Sequence, residues 1–302
     1  MYDIIIIGAG PAGMTAAIYA RRAEKSVLVL EARSYGGQIV STPEIENYPA
    51  APHISGFDFA TKVYEQAVEL GAEFRFERVT GITDGSVKTV TTSGGSYEGR
   101  AVIIATGSEC RRLGLPGEDK LAGRGISYCA TCDGGFFRKK DVAVVGGGNT
   151  ALEDALYLSG LARTVYVIHR RDSFRGDGAT AARLRSKDNV KLVLNSRVTA
   201  LEYGDRLTGI EVTDNDGGVS SIPLDGLFIA VGRTPENAPF AGLIELDGAG
   251  YVSASENCRT SVPGIFAAGD NRTKEVRQLV TAAADGAVAA GEAIKYLEGS
   301  GF

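Results

Sequence analysis

One pattern occurs twice in this chain and leaves few folds open. An apolar run at 4–7 leads into Gly8-Ala9-Gly10-Pro11-Ala12-Gly13, and a second, at 142–145, leads into Gly146-Gly147-Gly148-Asn149-Thr150-Ala151. Each is followed by a helical pattern, roughly 14–22 and 152–161, and then by another short apolar run, 26–30 and 164–168. Strand, glycine-rich turn, helix and second strand form the unit that brings backbone N–H groups up to a pyrophosphate at a helix N-terminus. Continuously apolar strands of this length suit a parallel sheet covered on both faces. The expected fold class is α/β, with two Rossmann-like dinucleotide-binding domains. Their closing strands also repeat, since Ile104-Ala105-Thr106-Gly107 is mirrored by Ile229-Ala230-Val231-Gly232.

The other segments fit around this repeat. Residues 35–52 read as irregular, and Phe59, Val63, Ala67 and Leu70 mark an amphipathic helix. Short strands are expected at 74–76, 87–92 and 101–105, then a linker at 114–117. In the second half, strands are expected at 191–194, 198–202, 207–213 and 227–230. After Pro235 no third fingerprint begins. A strand ending on Gly269-Asp270 and a helix at 276–297 close the chain. Such a tail is too small to stand alone and is expected to pack on the first domain. The second domain, 114–234, is then an insertion between 1–113 and 235–302.

Just upstream of the second fingerprint lies Cys129-Ala130-Thr131-Cys132. Two cysteines at this spacing can close a disulfide that is easily made and broken, poised by whichever sulfur is stabilised as thiolate. Cys110 and Cys258 have no near partner and are expected to be small buried residues. Four cysteines, two of them isolated, argue against a secreted disulfide framework. The start of the chain lacks the basic segment of a signal peptide, and no apolar run approaches a membrane span. The net charge of −5 favours neither nucleic acid nor an anionic membrane. The reading is a cytoplasmic enzyme. Forty of its 302 residues are glycine, nearly double the roughly 7% average, as suits several close backbone–ligand approaches.

The two seats differ at the end of the second strand. The first ends on Glu31, eighteen positions after Gly13, where a carboxylate can accept hydrogen bonds from a ribose and would repel a 2′-phosphate. The second ends on His169-Arg170-Arg171, with Arg175 close behind. Guanidinium forks suit a phosphate dianion, so this seat is expected to take NADPH rather than NADH. His169 by itself would be a packing residue. Electrons passing from a hydride donor to a disulfide usually need a flavin between them, which makes FAD the inference for the first seat.

These motifs carry a resemblance. Gly8 to Gly13, Cys-Ala-Thr-Cys-Asp-Gly at 129–134, Gly146 to Ala151, His-Arg-Arg-Asp-Ser-Phe-Arg at 169–175, Gly-Ile-Phe-Ala-Ala-Gly-Asp at 264–270 and Arg277-Gln278-Leu279 follow one another as in the low-molecular-weight thioredoxin reductases. The chain resembles that family over essentially its whole length. The resemblance implies an FAD domain in two segments around an NADPH domain, a homodimer, and thioredoxin as the protein disulfide partner. It also implies FAD contacts at Glu31, Gln38, Asn47, Asp270, Arg277 and Gln278, with Val79, Ala105, Gly107, Gly269 and Leu279 completing that set. The NADPH set comprises Gly147, Gly148, Asn149, Thr150, His169, Arg170, Arg171, Arg175 and Gly232. Gly134-Gly135 and Gly176 are small local differences expected to alter loop flexibility. The implied route is NADPH to FAD, then to the Cys129–Cys132 pair, then to thioredoxin. Asp133 is the candidate acid for the leaving sulfur. Which cysteine attacks stays open.

Two other readings compete. A structural zinc site would need two further ligands beside Cys129 and Cys132, and only Cys110, Cys258, His53 and His169 remain, none paired in sequence. A related flavin disulfide reductase or dithiol oxidase would use ferredoxin or oxygen, and the arginine cluster argues against it. A peroxiredoxin-reducing relative would carry an extra N-terminal domain, whereas this sequence starts at the FAD strand.

Overall fold

The structure, a computed structural model, describes residues 1–299. In chain order come β1 (Tyr2–Ile7), α1 (Pro11–Arg22), β2 (Val27–Leu30), α2 (Gly56–Glu69), β3 (Glu73–Arg75), β4 (Val79–Thr83), β5 (Lys88–Thr92), β6 (Ser96–Ile104) and β7 (Ser108–Cys110). Then follow α3 (Glu118–Leu121), β8 (Ile126–Ser127), α4 (Ala130–Asp133), β9 (Asp141–Val145), α5 (Asn149–Ser159), β10 (Thr164–Ile168), α6 (Gly178–Arg185) and β11 (Val190–Val193). The remainder are β12 (Ser196–Tyr203), β13 (Leu207–Asp214), β14 (Val219–Pro223), β15 (Gly226–Ile229), β16 (Arg233–Pro235), β17 (Ile265–Ala267) and α7 (Leu279–Leu297). They form two compact units, Met1–Glu109 with Thr234–Phe302, and Cys110–Arg233.

The first unit is built on a sheet ordered β3-β2-β1-β6-β5-β4. Strands β3, β2, β1 and β6 run parallel, while β4 and β5 form an antiparallel ribbon. Strand β6 joins two arrangements: its first half pairs with β5, and 102–104 pair in parallel with β17. Alternate residues serve opposite faces, as strand geometry requires. Ile4, Ile6, Val29 and Ile103 pack beneath α1 and α7, and Ile5, Ile7, Leu28 and Val102 line the other side. Pro11 opens α1 at its first turn, and Arg21 and Arg22 close it, both favourable to the helix dipole. Helix α7 crosses α1 at Gly286, where a Cβ would come within 2.2 Å of the Ala12 carbonyl oxygen.

The second unit repeats the plan. Its parallel sheet is ordered β11-β10-β9-β15-β8, so β11-β10-β9-β15 corresponds to β3-β2-β1-β6. Val142, Val144, Val165 and Val167 pack against α5 and α6; Ala143, Val145, Leu227 and Ile229 meet the antiparallel β12-β13-β14 layer.

Several local features differ from expectation. Helices α1 and α5 begin at Pro11 and Asn149, because the fingerprints themselves form the first turns. Helix α7 begins at Leu279, with Gln278 and Thr281 forming a capping box. Strands β4 and β14 and helix α6 carry too little apolar pattern to be read. Residues 114–117, read as linker, are fastened within the second unit. The Glu118 carboxylate accepts the N–H groups of Leu113 (3.1 Å), Gly114 (2.8 Å) and Leu115 (3.3 Å). The chain instead crosses between units at 109/110 and 233/234.

Candidate functional site

The two fingerprints adopt the same geometry. Gly8 has φ +108°, and a Cβ there would lie 2.3 Å from the Ala105 carbonyl oxygen; Gly146, at φ +154°, stands in the same relation to Ala230 at 2.4 Å. Only glycine fits either position. One turn on, Gly13 packs against the Gly8 carbonyl, while in the second unit Ala151 takes its place. By contrast, a Cβ on Gly10 or Gly148 would meet nothing within 4 Å. Each of these glycines faces open space at a helix N-terminus, the room a pyrophosphate needs. Both seats therefore fit a dinucleotide.

Around the first seat, Glu31 holds the turn from the end of β2. Its Oε2 accepts the Ala9 N–H at 2.9 Å and its Oε1 the Arg33 N–H at 2.9 Å. Each carboxylate oxygen has a second lone pair for a ribose hydroxyl. Asn47 donates to Gln278 Oε1 at 3.1 Å, joining two expected ligands 231 positions apart. Gln38 donates to the Ser108 carbonyl. Arg277 lies over the Tyr251 ring at 4.3 Å, and its buried Nε lacks a hydrogen-bond partner. An orphaned buried donor suits an anionic or carbonyl-bearing ligand such as FAD. Pro11 and Ala12 open α1, Leu279 opens α7, and Ala105 and Gly107 follow β6. Val79 differs: its side chain packs into the apolar cluster with Tyr2 and Ile82.

Sequence reasoning missed what holds Gly269-Asp270. Asp285, in the middle of α7, accepts the Gly269 N–H at 2.9 Å. It also takes two hydrogen bonds from Arg272 (2.9 and 2.7 Å) and one from Lys274 (2.9 Å). Arg272 is 1% exposed and Asp285 6%. Burial pushes the Asp285 carboxyl up, but the Arg272 and Lys274 hydrogen bonds outweigh it and leave its pKa below the ordinary value. A lone acid in the run Ala-Ala-Ala-Asp-Gly-Ala was the signal available. Cys258 is fully buried beside this cluster, and burial first, then the Asp285 charge, push its thiol up to about 12. Cys110, expected to be buried, is only half-buried.

In the second seat the basic loop is stapled to the fingerprint. The Gly147 carbonyl accepts the N–H groups of Arg175 (2.7 Å) and Gly176 (3.1 Å), and Asn149 Oδ1 accepts that of Asp177 at 2.8 Å. Arg170, Arg171 and Arg175 are exposed, and no carboxylate among the described residues pairs with them. His169 is buried, with its ring where a Cβ on Gly147 would approach within 2.2 Å. Burial lowers its pKa, and the three arginines push the same way. Thr150 lies in the first turn of α5, and Gly232, at φ +113°, follows β15. Gly176, expected to alter the flexibility of its loop, is a close-approach position: a Cβ would lie 2.6 Å from Leu152 and 2.9 Å from the Gly148 carbonyl carbon. Gly134 is likewise buried, and a Cβ there would meet the Tyr157 ring at 2.9 Å.

The cysteine motif folds as the single turn α4, with Cys129 extended at its N-cap. Cys129 and Cys132 form a disulfide. The Cys129 carbonyl accepts the N–H groups of Cys132 (3.3 Å) and Asp133 (3.1 Å). Next to Cys129, the Tyr128 hydroxyl donates to Glu118 Oε1 at 2.8 Å; burial, then that hydrogen bond, raise its pKa. Among the described residues no group of three or more His, Cys, Asp or Glu could hold a metal ion. No helix among them is long and apolar enough to cross a membrane.

Comparison with known proteins agrees with this architecture. Residues 2–287 match the pyridine nucleotide-disulphide oxidoreductase family. The thioredoxin reductase of Listeria monocytogenes serovar 1/2a is 45% identical over 301 residues, 99% of this chain and 94% of that protein. That of Bacillus subtilis strain 168 is 42% identical, covering 99% of this chain and 95% of its own. The crystal structure of thioredoxin reductase from Streptococcus pyogenes MGAS5005 superposes with a TM-score of 0.95 at 43% identity, covering 99% of each chain.

Proposed function

The chain belongs to the pyridine nucleotide-disulphide oxidoreductases, and from that premise we infer that it is an NADPH- and FAD-dependent enzyme of the bacterial type that reduces the disulfide of thioredoxin. The observation that carries this reading is the Cys129–Cys132 disulfide, set in the same unit as the second fingerprint. FAD supplies a two-electron relay between the hydride of NADPH and that disulfide.

We assign FAD to the first unit. Gly8, Gly10, Pro11 and Ala12 give the pyrophosphate room, Glu31 takes the ribose, and Gln38, Asn47, Asp270, Arg277 and Gln278 take the rest. Supporting this are the open space at Gly10, the orphaned Arg277 Nε and the Asn47–Gln278 contact. We assign NADPH to the second unit, with Gly148 at the pyrophosphate and Arg170, Arg171 and Arg175 at the 2′-phosphate. Asp133 carries the proton for the leaving sulfur during exchange with thioredoxin.

Disulfide and nicotinamide seat share one unit, and the assigned flavin seat belongs to the other. We infer that the second unit turns between half-reactions, so that each reactant reaches the flavin in its turn. The resemblance further supports a homodimer, and a set of four cysteines of which two have no near partner in sequence suits the cytoplasm; sedimentation of the purified protein tests the dimer.

Anaerobic titration of the purified protein tests the function. NADPH should bleach the flavin absorbance and deliver two further electrons to the disulfide, and oxidised thioredoxin should withdraw them. Reduction by reduced ferredoxin but not by NADPH would move the enzyme to a different donor class.

A further inference from the structure

Ser127, the last residue of β8, lies two positions before the cysteine motif and is 4% exposed. Its hydroxyl makes three contacts, all with that motif. It accepts the Cys129 N–H at 3.1 Å, and its oxygen lies 2.6 Å from Asp133 Oδ2 and 3.2 Å from the Cys129 carbonyl. A serine hydroxyl has one proton to give. The carboxylate is both the closer and the charged acceptor, and the Cys129 carbonyl already receives the N–H groups of Cys132 and Asp133. The proton therefore goes to Asp133, as a charge-assisted hydrogen bond in a shielded place.

We propose that Ser127 is the positioning residue for Asp133, holding its carboxylate beside the cysteine pair in the ionised form that accepts a proton from a thiol. This rests on the reading of Asp133 as the proton carrier. In the exchange, one cysteine thiol loses its proton to Asp133, and the resulting thiolate bonds to one sulfur of the partner disulfide. The partner S–S bond breaks, and its leaving sulfur takes the proton from Asp133. The second cysteine then loses its proton to Asp133 and attacks the mixed disulfide, restoring the Cys129–Cys132 bond; the partner's other sulfur leaves, takes that proton from Asp133, and the partner dithiol is released. Two electrons and two protons have moved to the partner, and Asp133 ends as it began. A carboxylate free to swing away would have to be re-oriented in every cycle.

The alternative is that Ser127 merely shapes the turn by accepting the Cys129 N–H. Five proteins separate these: the parent, Ser127→Ala, Ser127→Thr, Asp133→Asn and the Ser127→Ala/Asp133→Asn double variant. Two steps are read by stopped flow: bleaching of the flavin by NADPH, and oxidation of pre-reduced enzyme by oxidised thioredoxin. Ser127→Ala should slow the thioredoxin step about tenfold, the effect of losing one hydrogen bond to a charged group, and leave the NADPH step unchanged. Ser127→Thr, which keeps the hydroxyl, should restore the rate. The double variant should be little slower than Asp133→Asn alone. The inference is overturned if Asp133→Asn is slow while Ser127→Ala keeps the parent's rate, if the two losses multiply, or if Ser127→Ala slows both steps alike. Parent-like exchange in Asp133→Asn would instead overturn the reading of Asp133 itself, and this inference with it.

Discussion

The backbone N–H of Arg175 donates to the carbonyl of Gly147 at 2.7 Å, tying the basic loop directly to the glycine-rich turn before α5. The main chain of the exposed Arg175 is thereby held against that turn. Replacing Arg170 and Arg175 together with alanine should raise the KM for NADPH by one or more orders of magnitude, at ~1.5–3 kcal/mol per lost contact. The KM for NADH should hardly change, because NADH has no phosphate there. Equal weakening of both would remove the 2′-phosphate from this cluster.

Gly10 gives a clean test of the flavin seat. Its backbone is extended (φ −76°, ψ −179°), a conformation any residue adopts, and its missing side chain faces open space. Gly10→Val should therefore fold, and the damage should fall on the ligand. The expected product is a colourless protein with an unchanged far-ultraviolet circular dichroism spectrum. A full complement of bound flavin would contradict the assignment.

Much of this was legible in the sequence, for a physical reason. Gly8, Gly13 and Gly146 are fixed by main-chain approaches that no other residue permits, so the chemistry is written in the residue type itself. Glu31 and the arginines stand out in the sequence because the repeat marks the end of the second strand in each unit, where the proposed ribose would lie. Ser127, Glu118 and Asp285 could not. Each acts on a partner brought near by folding, or on backbone N–H groups that every residue carries. Residues 114–117 show the same limit: glycine and proline signal a linker, while the acid that fastens the segment lies on the next helix.

The buried Arg272–Asp285–Lys274 cluster ties stability to acid pH. Asp285→Asn leaves Lys274 without its counter-charge and Arg272 with only the exposed Glu256 at 3.6 Å, and should cost about 3–5 kcal/mol at neutral pH. The folded pKa of Asp285 lies below its ordinary value. Its contribution is therefore complete above about pH 4 and is lost as pH falls through the folded value. The gap between variant and parent, measured by urea unfolding with flavin release, should be full at pH 7 and shrink toward pH 3. A gap independent of pH would show that the ionised carboxylate is not what stabilises the loop.

Turning of the second unit is testable by restraint. An engineered disulfide linking the two units in one orientation should permit one half-reaction and nearly eliminate steady-state turnover, with recovery when the link is reduced. Normal turnover in the linked enzyme, unchanged on reduction, would mean that one fixed arrangement serves both reactants.

The most direct measurement of the central claim uses Cys129→Ser and Cys132→Ser. Each variant is mixed anaerobically with NADPH, and flavin absorbance is followed before and after oxidised thioredoxin is added. Because the proposed route passes electrons to the cysteines only after the flavin, NADPH should still bleach the flavin in both variants. Thioredoxin should then recover none of the electrons, while in the parent it reoxidises the enzyme at once. Thioredoxin reduction at the parent's rate by either variant would contradict the account.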